Sequence, residues 1–571
     1  MKCVILSGGS GNDALIKGLV SLYPQIDIKV IVNAYDDGKS TGVCRKITNT
    51  LGVSDIRKNH YRMYEIKSNF IDKGLSSFYN NRYDLEMKDK KAYVSFILED
   101  FGLPFLCKYS DRFFDSIQND ETFDFKSFNI ANIVYSQMYK EHGYDYTNSF
   151  FCSLLGIEDF VLLNSYDNVN LKAHAKGRFT LECEAEIVEY CNAKNPILGV
   201  SFTDSERTLN RKGLEAIASA DMIVMSSGTF WSSLYPTLEY GSLYKHINNS
   251  RAKKYWVMNN EEDKDALGVG SNDFIATLEY LGLNLEDFII IQNEDACNLL
   301  KQANTKYRIA REHMGNDKGK HNPMRLAKHL MRKHYSLDAC YDNVFIDFDD
   351  TLWSRDSNTS EELKDISTKN INLLSKVQDA LVITGNSYDS LKDVLSTIDN
   401  IVWADANSVA YHRGRVCNMV ENNIFSEKDI VTISTYLNME VICGDMKLST
   451  NNRFFPTFLK IKPIKDTLAR KMLCEKVNKF LDKYIRDAMA ICSGRTTIDV
   501  VKRSNSKVQV FDKVSPKGNS LYIGDEIDEG NDKEIAKKCT HCIEVKDVYE
   551  TNLILRLLID DGYGKGVWHN C

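Results

Sequence analysis

The chain contains no run of about 18 consecutive apolar residues, so nothing in it reads as a membrane-spanning helix. Its opening, MKCVILSGGSG, passes from a short apolar run straight into glycines. The longer apolar core and small-residue cleavage site of a secretion signal are missing. A basic excess is missing too: 72 Lys and Arg against 79 Asp and Glu leave a net charge of −7, which argues against a general nucleic-acid binder. There is no disulfide framework, since the 15 cysteines are an odd number scattered over 571 residues. The CxxC formed by Cys539 and Cys542 has no second pair to complete a zinc site. Internal repeats and low-complexity tracts are absent. Secreted, membrane-spanning and fibrous classes are therefore excluded, and a cytoplasmic protein with reduced thiols is expected. What is present is ordinary for a packed globular chain: 43% apolar and 26% charged residues.

Two strand-then-turn openings organise the sequence. Residues 2–19, KCVILSGGSGNDALIKGL, read as a strand, a glycine-rich turn and a helix through Leu15, Ile16 and Leu19. Residues 343–353, NVFIDFDDTLW, read as a strand ending in clustered carboxylates. Between them the basic stretch 301–338 is expected to be a linker carrying a solvated helix. Short apolar strands at 27–34, 220–227 and 253–259 alternate with helical segments, the pattern of an α/β domain with a parallel sheet. The aromatic-laden residues 60–150 are expected to form a helical insertion.

In an open α/β sheet, ligands bind beyond the carboxyl ends of the strands. Gly8, Gly9 and Gly11 follow the first strand, where backbone amides can approach a phosphate. The second strand leads into Asn33, Asp36, Asp37, Gly38, Lys39, Ser40, Thr41 and Gly42. Its adjacent carboxylates suit a metal or a polarised hydroxyl, or simply an Asx-capped turn. After the strand at 222–225 comes SSGTFWSS, residues 226–233, a candidate anion cradle, and a fourth strand ends at Asn259.

The order GGSG, NAYDDGKSTG, SDIRKN, FNIAN, SSGTFWSSLYP and VMNN resembles the CofD/YvcK family over residues 1 to about 290. The resemblance implies a Rossmann-like domain, 1–300, that binds a nucleotide or nucleotide-sugar or transfers a phosphorylated group. It places Gly8, Gly9, Gly11, Asp36, Asp37, Ser40, Asp55, Arg57, Asn132, Gly228, Thr229, Ser232 and Asn259 on ligand-facing motifs. The chain departs from the family pattern at Ser226-Ser227, where Gly-Pro is usual, at Lys58, where asparagine is expected, and at Ala131, where glycine is expected.

In the second half, Asp347 and Asp349 stand two apart at a strand end, which sends both side chains to one face. One carboxylate can attack phosphorus while the other handles protons. Thr384 ends the strand LVIT and Lys507 follows TTIDVVKRSNS, with Lys513 and Lys517 as alternative cations. Asp525 ends the strand YIG, with Asn531 and Asp532 close behind, offering hard oxygen ligands for Mg²⁺. This constellation resembles the haloacid dehalogenase (HAD) superfamily, nearest its phosphomannomutase and sugar-phosphate phosphatase (HAD-IIB) branch. The resemblance implies a HAD-like Rossmann-like domain over 339–571 with an α/β cap at about 415–500. It makes Asp347 the nucleophile, Asp349 the general acid/base, Thr384 and Lys507 the phosphate stabilisers, and Asp347, Asp349 (through its carbonyl) and Asp525 the Mg²⁺ ligands. Asp350 stands where glycine is common, and Asn451, Asn452, Arg453 and Lys460 are cap groups able to read a substrate.

The expected protein is thus bifunctional. It would join a Mg²⁺-dependent phosphatase of a small phosphorylated metabolite to a nucleotide or nucleotide-sugar domain, with no nucleic-acid or membrane partner. Homo-oligomerisation, a phosphomutase activity and a purely sensory first domain stay open at this point.

Overall fold

The computed structural model describes the chain apart from residues 10, 118–122, 178, 191, 204–206, 297–298, 301–305, 317–318, 355–359, 378, 386–396, 405–408, 414–415, 422–424, 442–446, 451–458, 463, 465, 494–496, 515, 529–531 and 560–571. It divides into two compact units, Met1–His334 and Tyr335–Cys571. Among the described residues no helix is long and apolar enough to cross a membrane.

The first unit is built on a parallel sheet of β1 (Lys2–Leu6), β2 (Asp27–Val32), β3 (Val161–Leu163), β7 (Met222–Met225), β8 (Lys253–Val257), β9 (Phe288–Asn293) and β10 (Arg308–Glu312). Their order is β10-β9-β8-β7-β1-β2-β3. Strands such as MIVM in β7 are buried along their whole length, as expected where helices cover both faces. The chain runs outward from β1 through β2 and β3, then returns to β7 on the other side, so the strand order reverses between β1 and β7. A side sheet, ordered β5-β4-β6, contains β4 (Leu171–Ala175), β5 (Phe179–Leu181) and β6 (Ile197–Phe202).

Between β2 and β3 lies the helical segment, which starts at Ser54, earlier than the sequence pattern indicates. Its aromatics form its core: the Tyr135 and Phe151 rings stack at 3.6 Å. His60 is enclosed there, its ring nitrogens 2.9 Å from the Tyr135 hydroxyl and 2.7 Å from Asn148 Oδ1.

The stretch expected to be a linker belongs to the first unit's body. Residues 308–312 form the edge strand β10, and the helix Pro323–His334 packs against the helix Asp13–Leu22. Leu326, Ala327, Leu330 and Met331 are buried along one face of that helix. The charges dominate its composition, but the spacing of these four residues decides its location.

The second unit has a seven-stranded sheet ordered β15-β14-β13-β12-β11-β20-β21. Its strands are β11 (Asn343–Asp347), β12 (Asp379–Thr384), β13 (Asn400–Ala404), β14 (Val409–Arg413), β15 (Val416–Glu421), β20 (Ser520–Gly524) and β21 (His541–Glu544). β11 pairs in parallel with β12 and β20, so here the order reverses between β11 and β20. A separate antiparallel sheet, β16-β17-β19-β18, contains β16 (Lys447–Thr450), β17 (Leu459–Lys462), β18 (Ala488–Ser493) and β19 (Thr497–Lys502). Helices Glu427–Val441 and Thr467–Tyr484 contribute Ile433, Leu437, Leu473 and Val477 to the core beside it. The expected cap starts too early. β15 continues the antiparallel edge of the main sheet by pairing with β14, so the smaller α/β layer begins after it.

Candidate functional site

In the first unit the loops at the β1–β7 reversal meet. The glycine turn after β1 touches the loop after β7, because a Cβ at Gly11 would be driven into the Ser227 carbonyl and would lie 2.7 Å from Gly228 Cα. The same turn lies against the start of the helix Ser54–Lys67: a Cβ at Gly9 would collide with the Asp55 carboxylate and lie 2.7 Å from Lys58 Cδ. Only hydrogen fits at these positions. Gly228, at φ +153, exchanges two hydrogen bonds with the Asn259 side chain, at 2.9 and 2.8 Å. Thr229, Ser232 and Ser233 form a hydroxyl chain with contacts of 2.7 and 2.9 Å. The loop after β7 borders a cleft that is also lined by Trp256, Phe274 and Asp263.

The carboxylates gather on the other side of the glycine turn. Ser54 donates to Asp36, the amide of Gly38 donates to Asp36 Oδ1 at 2.9 Å, and Lys58 pairs with Asp55 at 3.1 Å. Asp37 accepts from the Ala185 amide at 2.9 Å, and burial raises its pKa. That contact brings in Glu184, a residue the sequence reading missed. Burial, then Asp36 and Asp55, push its carboxyl up to about 9. No local motif marks Glu184, which lies more than a hundred residues from Asp55 along the chain.

Two expected ligand-facing groups are engaged internally instead. Arg57 is buried and donates to Asn132 Oδ1 at 2.9 Å and to the Tyr79 carbonyl. Asn132 donates to Ser40 at 3.0 Å and to Thr41 at 3.3 Å. This network fastens the helical segment to the start of the helix Lys39–Thr48.

The anion cradle also differs from expectation. The amides of Phe230 and Ser232 donate to the carboxylates of Asp263 at 2.7 Å and Asp265 at 2.8 Å. Those two acids occupy the donor positions that an anion would need. Burial, then Asp265, raise Asp263 to about 9, and burial raises Asp265. The acidic run EEDKD after Asn260 was the available sequence signal.

In the second unit the expected constellation comes together at the β11–β20 reversal. Asp347 ends β11, Thr384 ends β12, and Asp525 follows Gly524 at the end of β20. Lys507 begins the helix Lys507–Val514 and contacts Asp347 and, at 2.7 Å, Asp532. The side chains of Asp347, Lys507 and Thr384 are all buried, at 5%, 6% and 1% exposure. Asp347, Asp525 and Asp532 present oxygens within 4.8 Å of one another. Asp532 is the third side-chain acid of this group, beside the role that the resemblance assigns Asp349 through its backbone carbonyl. Thr351 donates to Asp525 at 3.4 Å.

Charge crowding shifts the acids of the group upward. Burial, then Asp532, hold Asp347 well above the usual carboxylate range. Burial and then Asp532 push Asp525 up to about 6. Burial alone would lower Lys507, but Asp347 and Asp532 outweigh it and raise its pKa.

The turn after Asp347 puts Asp350 at φ +56, the left-handed region where glycine costs nothing and aspartate is among the tolerated residues. Its amide donates to the Trp353 carbonyl at 2.7 Å, closing the turn. Lys517 is exposed, which removes it as the buried cation. Asn451, Asn452, Arg453, Asn531 and the side chains of Lys460 and Lys513 lie outside the described residues.

A curated "Putative gluconeogenesis factor" of Thermoanaerobacterium thermosulfurigenes is 23% identical over 297 residues, 51% of this chain and 78% of the relative. The "Gluconeogenesis factor" of Halalkalibacterium halodurans is 22% identical over 364 residues, 63% of this chain and 94% of the relative. Among solved structures, a Bacillus halodurans protein covers 58% of this chain and 99% of its own, with TM-score 0.41 and 18% identity. Plasmodium falciparum IMP-nucleotidase covers 41% of this chain and 73% of its own, with TM-score 0.32 and 15% identity. The profile of the family described as 2-phospho-L-lactate transferase CofD matches residues 3–329, more than half of the sequence, and the chain belongs to the CofD family.

Proposed function

We propose that the second unit is a Mg²⁺-dependent phosphohydrolase of the HAD type, acting on a small phosphorylated metabolite such as a sugar phosphate. The observation that carries this reading is a buried centre in which three carboxylates crowd around one lysine. Three negative groups against one positive leave an excess of two when all are ionised, and a divalent cation would balance it. The donors suit such an ion: they are hard carboxylate oxygens, and Asp532 Oδ2 is buried with no hydrogen-bond partner among the described residues. Asp347, Asp525 and Asp532 would hold Mg²⁺, which when bound neutralises charge on the phosphoryl oxygens.

The chain's own groups supply the steps. The Asp347 carboxylate attacks phosphorus as the bond to the leaving oxygen breaks, and Asp349 gives that oxygen its proton. Lys507 and Thr384 hold the phosphoryl oxygens in line. Asp349 then takes a proton from water, which attacks the phosphorus of the aspartyl phosphate and restores Asp347. The burial of Asp347 and Lys507 keeps the reacting atoms in a dry, strongly electrostatic setting.

For the first unit, family membership and the meeting of the glycine turn with the 226–233 loop support binding of a nucleotide or nucleotide-sugar. The free thiols of the ten described cysteines fit a cytoplasmic setting.

The test is phosphate release by the full chain from a panel of sugar phosphates, with calorimetric titration of UDP- and GDP-sugars alongside. Release that stops in EDTA and returns with Mg²⁺ is expected. An isomerised sugar phosphate with no inorganic phosphate would replace the hydrolase with a mutase. Metal-independent release would overturn the metal assignment.

A further inference from the structure

The turn that follows Asp347 is closed by Trp353 at both of its main-chain groups. The Trp353 amide donates to the Phe348 carbonyl at 2.8 Å, and the Trp353 carbonyl accepts from the Asp350 amide at 2.7 Å. The Leu352 amide reaches the same Phe348 carbonyl at 3.0 Å. The chain is thereby folded back so that Trp353 pairs with Asp349 as an isolated parallel bridge. Any residue could supply those main-chain bonds, so the side chain is what sets this position apart. The Trp353 ring stacks on the Phe348 ring, with centroids 5.7 Å apart and planes 16° from parallel. Lys364 Nζ, on the helix Glu361–Val377, stands 5.7 Å from the centroid of the Trp353 ring. Phe348 is buried and separates Asp347 from Asp349 in the sequence. The stack therefore ties the residue just before Asp349 to the residue that closes the turn after it. The turn needs such a tie, because Asp350 holds a left-handed conformation, φ +56, that glycine adopts more readily than aspartate.

We propose that Trp353 is a positioning residue for Asp349: its ring, held by Phe348 and Lys364, sets where the Asp349 carboxyl stands when the leaving oxygen takes its proton. The inference rests on the hydrolase reading of the same site and adds a residue to it.

In the step concerned, a bond forms between an Asp347 oxygen and phosphorus, the bond from phosphorus to the ester oxygen breaks, and the Asp349 proton passes to that oxygen. How much this step needs the proton depends on the leaving group. The alkoxide of a sugar is strongly basic and departs only with a proton, whereas p-nitrophenolate is weakly basic and departs as the anion. A displaced Asp349 should therefore slow the sugar ester and spare the nitrophenyl ester. Misplacement by about 1 Å is enough for a roughly hundredfold loss.

The test is Trp353→Leu in the full chain with Mg²⁺, measured on p-nitrophenyl phosphate and on the sugar phosphate that wild type hydrolyses fastest in the panel above. The quantity compared is kcat/KM, which covers the reaction up to the aspartyl phosphate and leaves out the later attack of water. The expected result is a fall of about thirtyfold to a hundredfold on the sugar phosphate, against about threefold or less on p-nitrophenyl phosphate. The retained nitrophenyl activity shows that the variant still assembles its site. Trp353→Phe, which keeps a ring on Phe348, should recover most of the lost rate. Equal falls on the two esters, or no fall on the sugar phosphate, would overturn the role of Trp353 and leave the hydrolase reading standing. Wild type that releases no phosphate from any of these esters would overturn that reading itself.

Discussion

Both units place their polar side chains where the strand order reverses, yet the two sites balance charge differently. In the first unit, at the β1–β7 reversal, most groups satisfy one another. Asn259 serves Gly228, Asp263 and Asp265 serve the amides after Thr229, and Arg57 serves Asn132. In the second unit, at the β11–β20 reversal, one lysine faces three acids. A site whose hydrogen bonds are internally closed is a fixed, shaped surface whose amide donors are already taken. A site left with excess buried charge is incomplete without a counterion. The same position in two α/β sheets thus carries two different arrangements of charge, and the side chains, not the fold, decide which.

Removing the cation tests this contrast most severely. Lys507→Met leaves Asp347 and Asp532 buried without their partner, and the loss in unfolding free energy should be about 3–5 kcal/mol. Chemical denaturation of the full chain, followed by a probe in the second unit, measures it. A variant as stable as wild type would mean that the carboxyls are held neutral without help from the lysine.

The first unit should respond instead to acid. His60 is buried and neutral, its pKa lowered from 6.5 to about 4 by burial. A histidine with a depressed folded-state pKa stabilises fully above its unfolded pKa and loses that contribution as pH falls. Between pH 6.5 and 4 the His60 contribution to stability should therefore fall by about 3 kcal/mol, while the raised carboxyls of Glu184 and Asp263 gain in the same window. Denaturant midpoints across that window, compared between wild type and His60→Asn, isolate the histidine's share as the difference between the two slopes. Equal slopes would contradict the assignment.

A smaller effect separates two glycines of one turn. At Gly11 a Cβ meets backbone, the Ser227 carbonyl and Gly228 Cα, which cannot move without moving the loop after β7. At Gly8 it meets the ends of two side chains, Ser233 Oγ at 2.7 Å and Asp55 Oδ2 at 3.2 Å. Gly11→Ala should cost about 3 kcal/mol and Gly8→Ala about 1, as judged by overpacking elsewhere. Thermal unfolding of the two variants gives the order, and a reversed order would show that the loops do not meet as described.

The sequence revealed these sites unevenly, for physical reasons. Asp347, Thr384 and Asp525 were legible because each ends an apolar strand, and a strand end in a parallel sheet faces the site by construction. Lys507 was legible through its place after β19, at the start of a helix. Glu184 was not, since only the contact between Ala185 and Asp37 brings it in. The role of Asp263 and Asp265 depended on a register between two distant loops that no local pattern encodes. The helix Pro323–His334 was misjudged because its basic residues outnumber the four apolar ones that fix its face. The end of the main sheet was misplaced because β15 is one more antiparallel edge strand and carries no motif.

The central claim is that Asp347 attacks phosphorus. Its most direct measurement is phosphate release by Asp347→Asn in Mg²⁺, at substrate saturation, beside wild type of matched thermal stability. The account predicts a fall of about a thousandfold or more, the scale expected when a covalent nucleophile is removed. Undiminished turnover by that variant would contradict it.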